Sequence, residues 1–235
     1  MDKGIFVALS GAVMQERRME ALTDNLANVN TAGFKAQRPL FEDAITDIFR
    51  VRTFGKLDEL TIDMGQGHAQ RTERKLDVAI NGDGFFVVET PSGMRYTRDG
   101  SFTLNNEGNL VTMEGYPVMG DGGRIKLSTP EVLIDGAGAI HVNGAVAAKL
   151  KLASFIDTAA LRREGGFFAP LPGAKETPAS PNTQVEQGYI EASNVNAVRA
   201  MTTMIEAMRS YETNTKLIQS MDDMTRKAIE EVGRT

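Results

Sequence analysis

Apolar residues recur at helical spacing near both ends of the chain. Toward the N-terminus, positions three, four or seven apart share one helix face: Ile5, Leu9, Ala12, Met19, Leu22, Leu26 and Val29. Toward the C-terminus, the same pattern covers Val198, Met201, Ile205, Met208, Tyr211 and Ile218. We predict two amphipathic helices, of which the first ends between residues 28 and 32, and we expect these apolar residues to form the subunit interface. Ser193 or Asn194 is the expected N-cap of the second.

The middle of the chain has a different pattern, in which short β-forming runs alternate with Asn-Gly and Asp-Gly turns. Candidate strands are residues 76–80, 85–88, 95–97, 102–104, 110–112, 116–119, 124–127, 132–134, 140–142 and 145–155. Phe85, Phe86 and Phe102 are expected to fill the core of this region. The predicted fold is α+β: a central, mostly antiparallel β domain between two long helices that pair as a coiled-coil-like stalk.

The distribution of glycine and proline suggests four parts. We place an N-terminal helix at residues 1–33, an extended connector at 34–75, the β-rich domain at 76–187 and a C-terminal helix at 188–235. The connector is expected to contain a short helix near residues 41–50. Residues 169–183, which contain four of the eight prolines, are expected to form a loop.

Composition and charge exclude several classes of function. The 26 basic and 31 acidic residues give a net charge of −5 with no basic block, which argues against nucleic-acid binding. No apolar run is long enough to span a membrane. Cysteine is absent, and His68 and His141 are isolated, so we expect no metal site. Because the residues show no nucleophile with its base and no complete nucleotide-binding loop, we expect neither an enzyme nor a cofactor.

The two predicted helices cannot cover each other completely. A two-helix pair leaves apolar positions on its flanks, notably Val13, Met14, Met204 and Ile229. In a chain without further helices, other copies must cover such positions, and a head-to-tail contact then gives an open filament. Spacing alone leaves open whether the methionines of the second helix line an internal core or an adaptable contact surface.

A resemblance to a known family rests on motifs that recur in order along most of the chain. They are NLANVNTAGFK (25–35), DVAINGDGFFVV (77–88), YTRDGSF (96–102), GNLV (108–111), GYIEASNVNAV (188–198) and MIEAMRSYETNTK (204–216). Together they resemble the flagellar basal-body rod and hook proteins. The short connector and PVMGDGG (117–123) are more similar to the proximal-rod type than to the distal-rod type.

The resemblance implies a structural subunit of the hollow rod that spans the periplasm. Such subunits pass through the flagellar export apparatus without a cleaved signal peptide, and their terminal helices order on assembly. The implied partners are other copies and other rod subunits, with no nucleic acid and no membrane insertion. The family motif supplies Asn25, Asn28, Asn30, Thr31, Gly33, Phe34, Ser193, Asn194, Val195 and Asn196. Its asparagines either bond to backbone at the turn after the first helix or cap a helix.

Three other functions remain open at the sequence level. The chain is a distal-rod or hook member of the same family, a surface adhesin with a ligand-binding β domain, or a peptidoglycan hydrolase. The adhesin requires an aromatic-lined pocket, and the hydrolase requires an acid–base or metal set. Neither feature is evident in the residues, so the rod subunit is the leading interpretation.

Overall fold

The structure of the protein, a computed structural model, describes residues 2–39 and 60–232. The described residues form two compact units. A helical unit contains residues 2–27, 37–39, 60–63 and 196–232, and a β unit contains Asn28–Ala36 and Met64–Val195. The short helix predicted near residues 41–50 lies outside the described residues.

The helical unit consists of two long helices and one small strand pair. Its elements are α1 (Asp2–Ala27), β1 (Gln37–Pro39), β2 (Leu60–Ile62) and α2 (Ala197–Val232). The strands β1 and β2 pair in antiparallel register. In the described part of the chain, neither helix has an uncharged apolar stretch long enough to cross a membrane. The helices α1 and α2 correspond to the two predicted terminal helices.

The two helices pack against each other through small residues. A Cβ atom added to Gly11 would lie 3.0 Å from Nδ2 of Asn214, and one added to Gly4 would lie 3.0 Å from Cε of Met221. The contacts advance along α1 while they go back along α2, so the helices are antiparallel. A glycine inside a helix costs about 1 kcal/mol relative to alanine, and here it admits the facing side chain.

On α2, the largest apolar residues of the predicted stripe do not lie at the contact between the helices. Ala207, seven residues before Asn214, is fully buried, whereas Ile205 and Met208 beside it are half exposed. Small residues allow close approach of two helix backbones, and the larger apolar side chains are then left on the flanks of the contact. The packing face therefore follows the glycines and alanines rather than the largest hydrophobic residues.

The end of the first helix and the start of the second differ from the predicted positions. The first helix ends at Ala27, so Val29 lies in the following turn rather than on the helix face. The second begins at Ala197, and its N-cap is Asn196, whose Oδ1 accepts a hydrogen bond from the Arg199 N–H at 2.9 Å. Ser193 and Asn194 were thus wrong as caps, because the chain before residue 196 belongs to the β unit.

The β unit contains seventeen described strands and one 3₁₀ turn, Thr158–Ala160. The strands are β3 (Ala69–Arg71), β4 (Val78–Asn81), β5 (Phe85–Thr90), β6 (Gly93–Thr97), β7 (Thr103–Leu104), β8 (Leu110–Val111), β9 (Met119–Gly120), β10 (Gly123–Arg124), β11 (Leu133–Ile134), β12 (Ala139–Val142), β13 (Ala145–Lys149), β14 (Leu152–Phe155), β15 (Leu161–Glu164), β16 (Phe167–Pro170), β17 (Glu176–Pro178), β18 (Gln184–Gln187) and β19 (Tyr189–Glu191).

The described strand pairs of this unit are antiparallel, which confirms the predicted antiparallel β region. A six-stranded sheet has the order β15-β16-β6-β5-β14-β17, and a three-stranded sheet has the order β11-β12-β13. Four two-stranded pairs, β3-β19, β4-β18, β7-β8 and β9-β10, complete the unit. The expected loop at residues 169–183 contains β17, because this proline-bearing segment forms an edge strand, where a missing N–H is tolerated.

The core of the β unit consists of aliphatic and aromatic side chains from these strands. Phe86 and Phe102 are buried and pack edge to face with ring centroids 5.1 Å apart, as the aromatic quadrupole favours. Phe85 is also buried and lies 5.3 Å from the Phe168 ring. The prediction that Phe85, Phe86 and Phe102 fill the core is therefore confirmed. Burying each such ring contributes about 1.5–3 kcal/mol.

Candidate functional site

The segment that follows α1 pairs with the segment that precedes α2. In the β unit, the Gly33 N–H donates to the Glu191 carbonyl at 2.7 Å, and the Asn194 N–H donates to the Phe34 carbonyl at 3.3 Å. The Ala36 N–H donates to Oδ1 of Asn194 at 2.8 Å. The two halves of the family motif, 158 residues apart in the sequence at this last hydrogen bond, therefore meet at one place.

A buried group of three charged side chains lies at this meeting point, and we call it the charge cluster: Lys35, Arg98 and Glu191. Lys35 and Glu191 are fully buried, and Arg98 is nearly so. Nζ of Lys35 lies 2.5 Å from Oε1 of Glu191, and an Arg98 guanidinium nitrogen lies 3.3 Å from Oε2. One carboxylate thus pairs with two cations from different parts of the chain.

Backbone groups satisfy much of the remaining hydrogen-bonding capacity of the charge cluster. The Gly67 N–H donates to Oε1 of Glu191 at 2.8 Å, while Lys35 donates to the Gly65 carbonyl at 2.8 Å. Arg98 donates to the Gly82 carbonyl at 2.9 Å. Burial lowers the pKa of the Arg98 guanidinium from its ordinary value, and the negative charge of Glu191 opposes this shift. Removing one member of such a buried ion pair leaves the other charge uncompensated.

Gly33 has a conformation and a contact that few residues tolerate. Its φ of +66° lies in the left-handed region, which glycine adopts without steric cost. A Cβ atom at this position would lie 2.2 Å from the Asp99 nitrogen. The predicted turn at Gly33 is therefore present, but it occurs six residues after α1 ends, where the chain passes directly against residues 98–99.

Some of the motif asparagines bond to backbone and one caps a helix, which are the two roles that the sequence left open. Asn25 is buried in the helical unit, where its side-chain amide exchanges two hydrogen bonds, both of 2.8 Å, with the backbone of Gln37. Asn194 also bonds to backbone, because its Nδ2 donates to the Gly65 carbonyl at 2.9 Å. Asn196 is a helix cap, as described above. Asn28 Oδ1 accepts a hydrogen bond from the Thr31 hydroxyl, and Asn30 is exposed.

The other motif residues lie where the two halves of the motif meet in the β unit. Phe34 is buried, and the Arg163 guanidinium lies 4.3 Å from its ring centroid, within the range of a cation–π interaction. Ser193 is buried, and its hydroxyl accepts a hydrogen bond from the Val195 N–H at 3.2 Å. These motif residues therefore take part in packing and hydrogen bonding within the β unit.

The residues predicted as a subunit interface differ widely in exposure. Those of α2 are largely uncovered: Val198 is 75% exposed, Ile205 is 53% exposed, and Met201, Met208 and Tyr211 are also exposed, while Ile218 is intermediate. On α1, Leu9 is exposed and Ala12 is buried, while Ile5, Met19, Leu22 and Leu26 are intermediate. Five large apolar side chains thus form an uncovered face on the first half of α2, which we call the α2 apolar face (residues 198–211).

Comparison with known proteins gives three family models that match different parts of the chain. They are "Flagella basal body rod protein" at residues 5–35, "Flagellar hook protein FlgE/F/G D1 domain" at residues 79–147 and "Flagellar basal body rod FlgEFG protein C-terminal" at residues 186–231. The rod protein FlgF of Rhizobium meliloti (strain 1021) is 35% identical over 239 residues, which cover 99% of both chains. The chain belongs to the flagellar basal-body rod family.

Other relatives within this rod family match over similar lengths. FlgF of Caulobacter vibrioides is 33% identical over 249 residues, which cover 100% of this chain and 99% of that protein. FlgG of Buchnera aphidicola subsp. Acyrthosiphon pisum is 32% identical over 256 residues, which cover 97% and 98%. The resemblance noted in the sequence is confirmed. The relatives are structural rod proteins, which agrees with the prediction of a protein that is not an enzyme.

The charge cluster of this rod-family chain is the feature that sequence reasoning missed. Lys35, Arg98 and Glu191 all lie inside the quoted motifs, yet none was singled out, because charged residues are mostly exposed. A usable signal was present in the sequence. Each of these charged residues lies within a motif that is otherwise rich in glycine, small and apolar residues. A lone Lys or Glu in such a motif is not explained by a solvated surface.

The carboxyl group of Asp99, close to the charge cluster in sequence, allows a test of the electrostatics. Burial raises its pKa above the ordinary value of 3.8, against hydrogen bonds from Ser101, and Glu114 and Asp77 add to the rise. The folded chain binds more protons than the unfolded chain between pH 3.8 and the raised pKa, so stability falls as the pH rises through this window. We expect Asp99→Asn to raise the melting temperature at pH 7 by up to about 3 °C, and not at pH 3.

Asp135→Asn is the matched control for this experiment. The N–H of Ala139 and the ring of His141 hold the pKa of Asp135 below its ordinary value. Its contribution to stability is present above pH 3.8 and is lost at lower pH, so Asp135→Asn should lower the melting temperature at pH 7. Calorimetric scans at both pH values measure these effects. Shifts of the same sign in the two variants at pH 7 would contradict the assignment.

Proposed function

We propose that the chain is a structural subunit of the flagellar basal-body rod that assembles with other copies and other rod subunits through its two helices. The observation that carries the proposal is the α2 apolar face, which remains uncovered although α2 already packs against α1. Exposed contiguous apolar surface on a soluble protein marks a site of association. Family membership supplies the assembly in which that association takes place.

The seven-residue repeat of the helix contacts supports a coiled-coil-like stalk. Gly4 and Gly11 are seven residues apart on α1, and Asn214 and Met221 are seven apart on α2. A sustained repeat of seven is the period that keeps two helices in contact along a coiled coil. In this proposal the residues of 1–33 and 188–235 form the assembly core, 34–75 the connector, and 76–187 the β-rich domain.

The proposal also includes the position and route of the subunit. The chain lies in the proximal rod, which spans the periplasm, and reaches it through the flagellar export apparatus without a cleaved signal peptide. Its helices order when neighbouring subunits cover them. Ordering a helix costs about 1–2 kcal/mol per residue in backbone entropy. The contacts between subunits therefore form only where neighbouring subunits compensate that cost.

Isolated basal bodies test the proposed function. We expect quantitative mass spectrometry to find the chain in the rod fraction, and deletion of its gene to prevent rod completion and motility. A strain without the distal-rod subunit should still retain the chain in its basal bodies if its place is proximal. Loss of the chain from that strain would contradict the proximal position, and absence from intact basal bodies would contradict the proposal as a whole.

A further inference from the structure

The β unit contains two Asn-Gly sequences, Asn81-Gly82 at the end of β4 and Asn143-Gly144 directly after β12. Both asparagine side chains are exposed. Asparagine followed by glycine is the sequence in which a backbone nitrogen most easily reaches a side-chain amide, because glycine has no Cβ to obstruct the approach. The same dipeptide at two exposed positions of one chain shows what the surroundings contribute.

Hydrogen bonds hold Asn81-Gly82 on both sides of the dipeptide. Nδ2 of Asn81 donates to Oε1 of Glu186 at 3.1 Å, and the Gly82 N–H donates to Oε1 of Gln66 at 3.2 Å. The Gly82 carbonyl accepts a hydrogen bond from Arg98 of the charge cluster at 2.9 Å. Moving this dipeptide out of its native conformation therefore breaks bonds to three other segments of the β unit.

Asn143-Gly144 is the two-residue loop of the β12–β13 hairpin, in which Val142 pairs with Ala145. Asn143 has a φ of +51° and Gly144 a φ of +83°, and positive φ at both positions is what the type I′ turn of such a hairpin requires. A Cβ atom added to Gly144 would meet no other atom within 4 Å. Within the described residues, the Asn143 side chain makes no hydrogen bond.

The strand after this turn is also weakly held. Among the described strands, β13 is an edge of its three-stranded sheet, and its residues 145–147 are exposed. Exposed turns and edges with few buried contacts open at a small cost in free energy, whereas paired strands in the core open rarely. The Asn143-Gly144 turn can therefore leave its native conformation without disturbing the rest of the β unit.

We propose that Asn143 is a site of spontaneous deamidation and isomerisation in the folded chain, and that Asn81 is protected. When the turn opens, the Gly144 nitrogen attacks Cγ of Asn143 and a C–N bond forms. The Cγ–Nδ2 bond breaks, and Nδ2 leaves as ammonia with the proton of the Gly144 N–H. Water then opens the resulting succinimide ring: aspartate forms when the new bond breaks, and isoaspartate forms when the original peptide bond breaks.

The isoaspartate product changes the hairpin as well as its charge. It places one additional carbon atom in the main chain of a two-residue loop. Because loop length and turn type set the register of a hairpin, β12 and β13 cannot keep both their register and their turn. We expect the modified chain to lose protection against hydrogen exchange in β13 and to keep it in β4. This inference does not depend on the proposed function.

Peptide mapping by mass spectrometry tests the proposal on the purified full-length chain, incubated at mildly alkaline pH. We expect conversion at Asn143 to be at least about tenfold faster than at Asn81. An isoaspartate-specific methyltransferase with labelled S-adenosylmethionine measures the isomerised product. Equal rates at the two asparagines, or faster reaction at Asn81, would overturn the proposal.

The same chain in concentrated urea is the matched control, because both dipeptides then lose their surroundings and should react at similar rates. A rate difference of the same size in urea would overturn the proposal, since it would not come from the fold. So would the absence of reaction at Asn143 in the folded sample when the urea sample reacts. Asn143→Gly preserves the turn, because Gly-Gly also forms type I′ loops, and should remove nearly all methyl acceptance by the folded chain.

Discussion

Replacing Glu191 with glutamine should destabilise the β unit more than any other single loss of charge within it. The change keeps the shape of the side chain but removes the carboxylate that lies 2.5 Å from Lys35 and 3.3 Å from Arg98. Both cations then lose the carboxylate that pairs with them, although they stay buried. Breaking a buried ion pair from one side costs about 3–5 kcal/mol. For a unit of this size we expect the calorimetric melting temperature to fall by about 10–20 °C.

Glu89→Gln is the matched control, because it removes a carboxylate from an ion pair of similar length at the surface. The Glu89–Arg124 pair has a nitrogen–oxygen distance of 2.6 Å, yet water reaches both side chains. Exposed pairs contribute little to stability, so this variant should melt close to the natural chain. Equal losses for Glu191→Gln and Glu89→Gln would show that burial of the charge cluster does not matter.

A third variant separates the two cations of the charge cluster. Lys35→Met leaves Glu191 with Arg98 and with the Gly67 N–H as partners, so it should cost less than Glu191→Gln. The double variant should cost less than the sum of the two single changes, because the residues interact directly. Strict additivity would indicate that Lys35 and Glu191 act independently, against the geometry of the site.

The charge cluster also explains where a stable β fragment must begin and end. Lys35 lies before the candidate strands and Glu191 lies after them, close to the predicted boundaries of the central part. A sequence pattern identifies strands by local alternation, and it contains no information on which distant charges meet. The boundaries that keep the charge cluster whole are those of the β unit, Asn28–Ala36 together with Met64–Val195.

The elements that could be predicted are those whose signal is local. Both helices follow from a periodic pattern that extends over many residues, and the aromatic core follows from Phe85, Phe86 and Phe102 within β-forming runs. The antiparallel pairing of β4 with β18, in contrast, joins Val78 to Gln187 across more than a hundred residues. Pairings of that separation depend on the tertiary arrangement rather than on local propensity.

The exposed apolar residues of α2 show a different limit of sequence patterns. Hydrophobic periodicity identifies the side of a helix that avoids water, but it does not say whether the covering surface belongs to the same chain. Gly11 lies at the contact between the helices and Ala207 is fully buried, and such weakly hydrophobic residues contribute little to a hydrophobic periodicity. The strong stripe through Ile205 and Met208 is the part that the chain leaves uncovered.

A charge on the α2 apolar face should therefore prevent assembly without unfolding the chain. Ile205 is 53% exposed, so Ile205→Asp places a carboxylate in water in the free subunit. In the rod, the same carboxylate would be buried against a neighbour without a partner, at a cost of several kcal/mol. We expect at least about a 100-fold loss of completed rods, counted by electron microscopy of basal-body preparations, and loss of swimming in soft agar.

Two further variants show whether that loss comes from the interface. Ser220→Asp introduces the same charge at an exposed polar position of the same helix and should leave rod number and motility unchanged. Leu26→Asp acts on a half-buried position and should lower the stability of the helical unit as well as assembly. Normal motility of the Ile205→Asp strain would contradict the proposed interface. Residue 205 lies on the opposite side of α2 from the face that carries Ala207 and Asn214. Unchanged melting of the Ile205→Asp variant therefore shows that its assembly defect arises only when a neighbour must cover the helix.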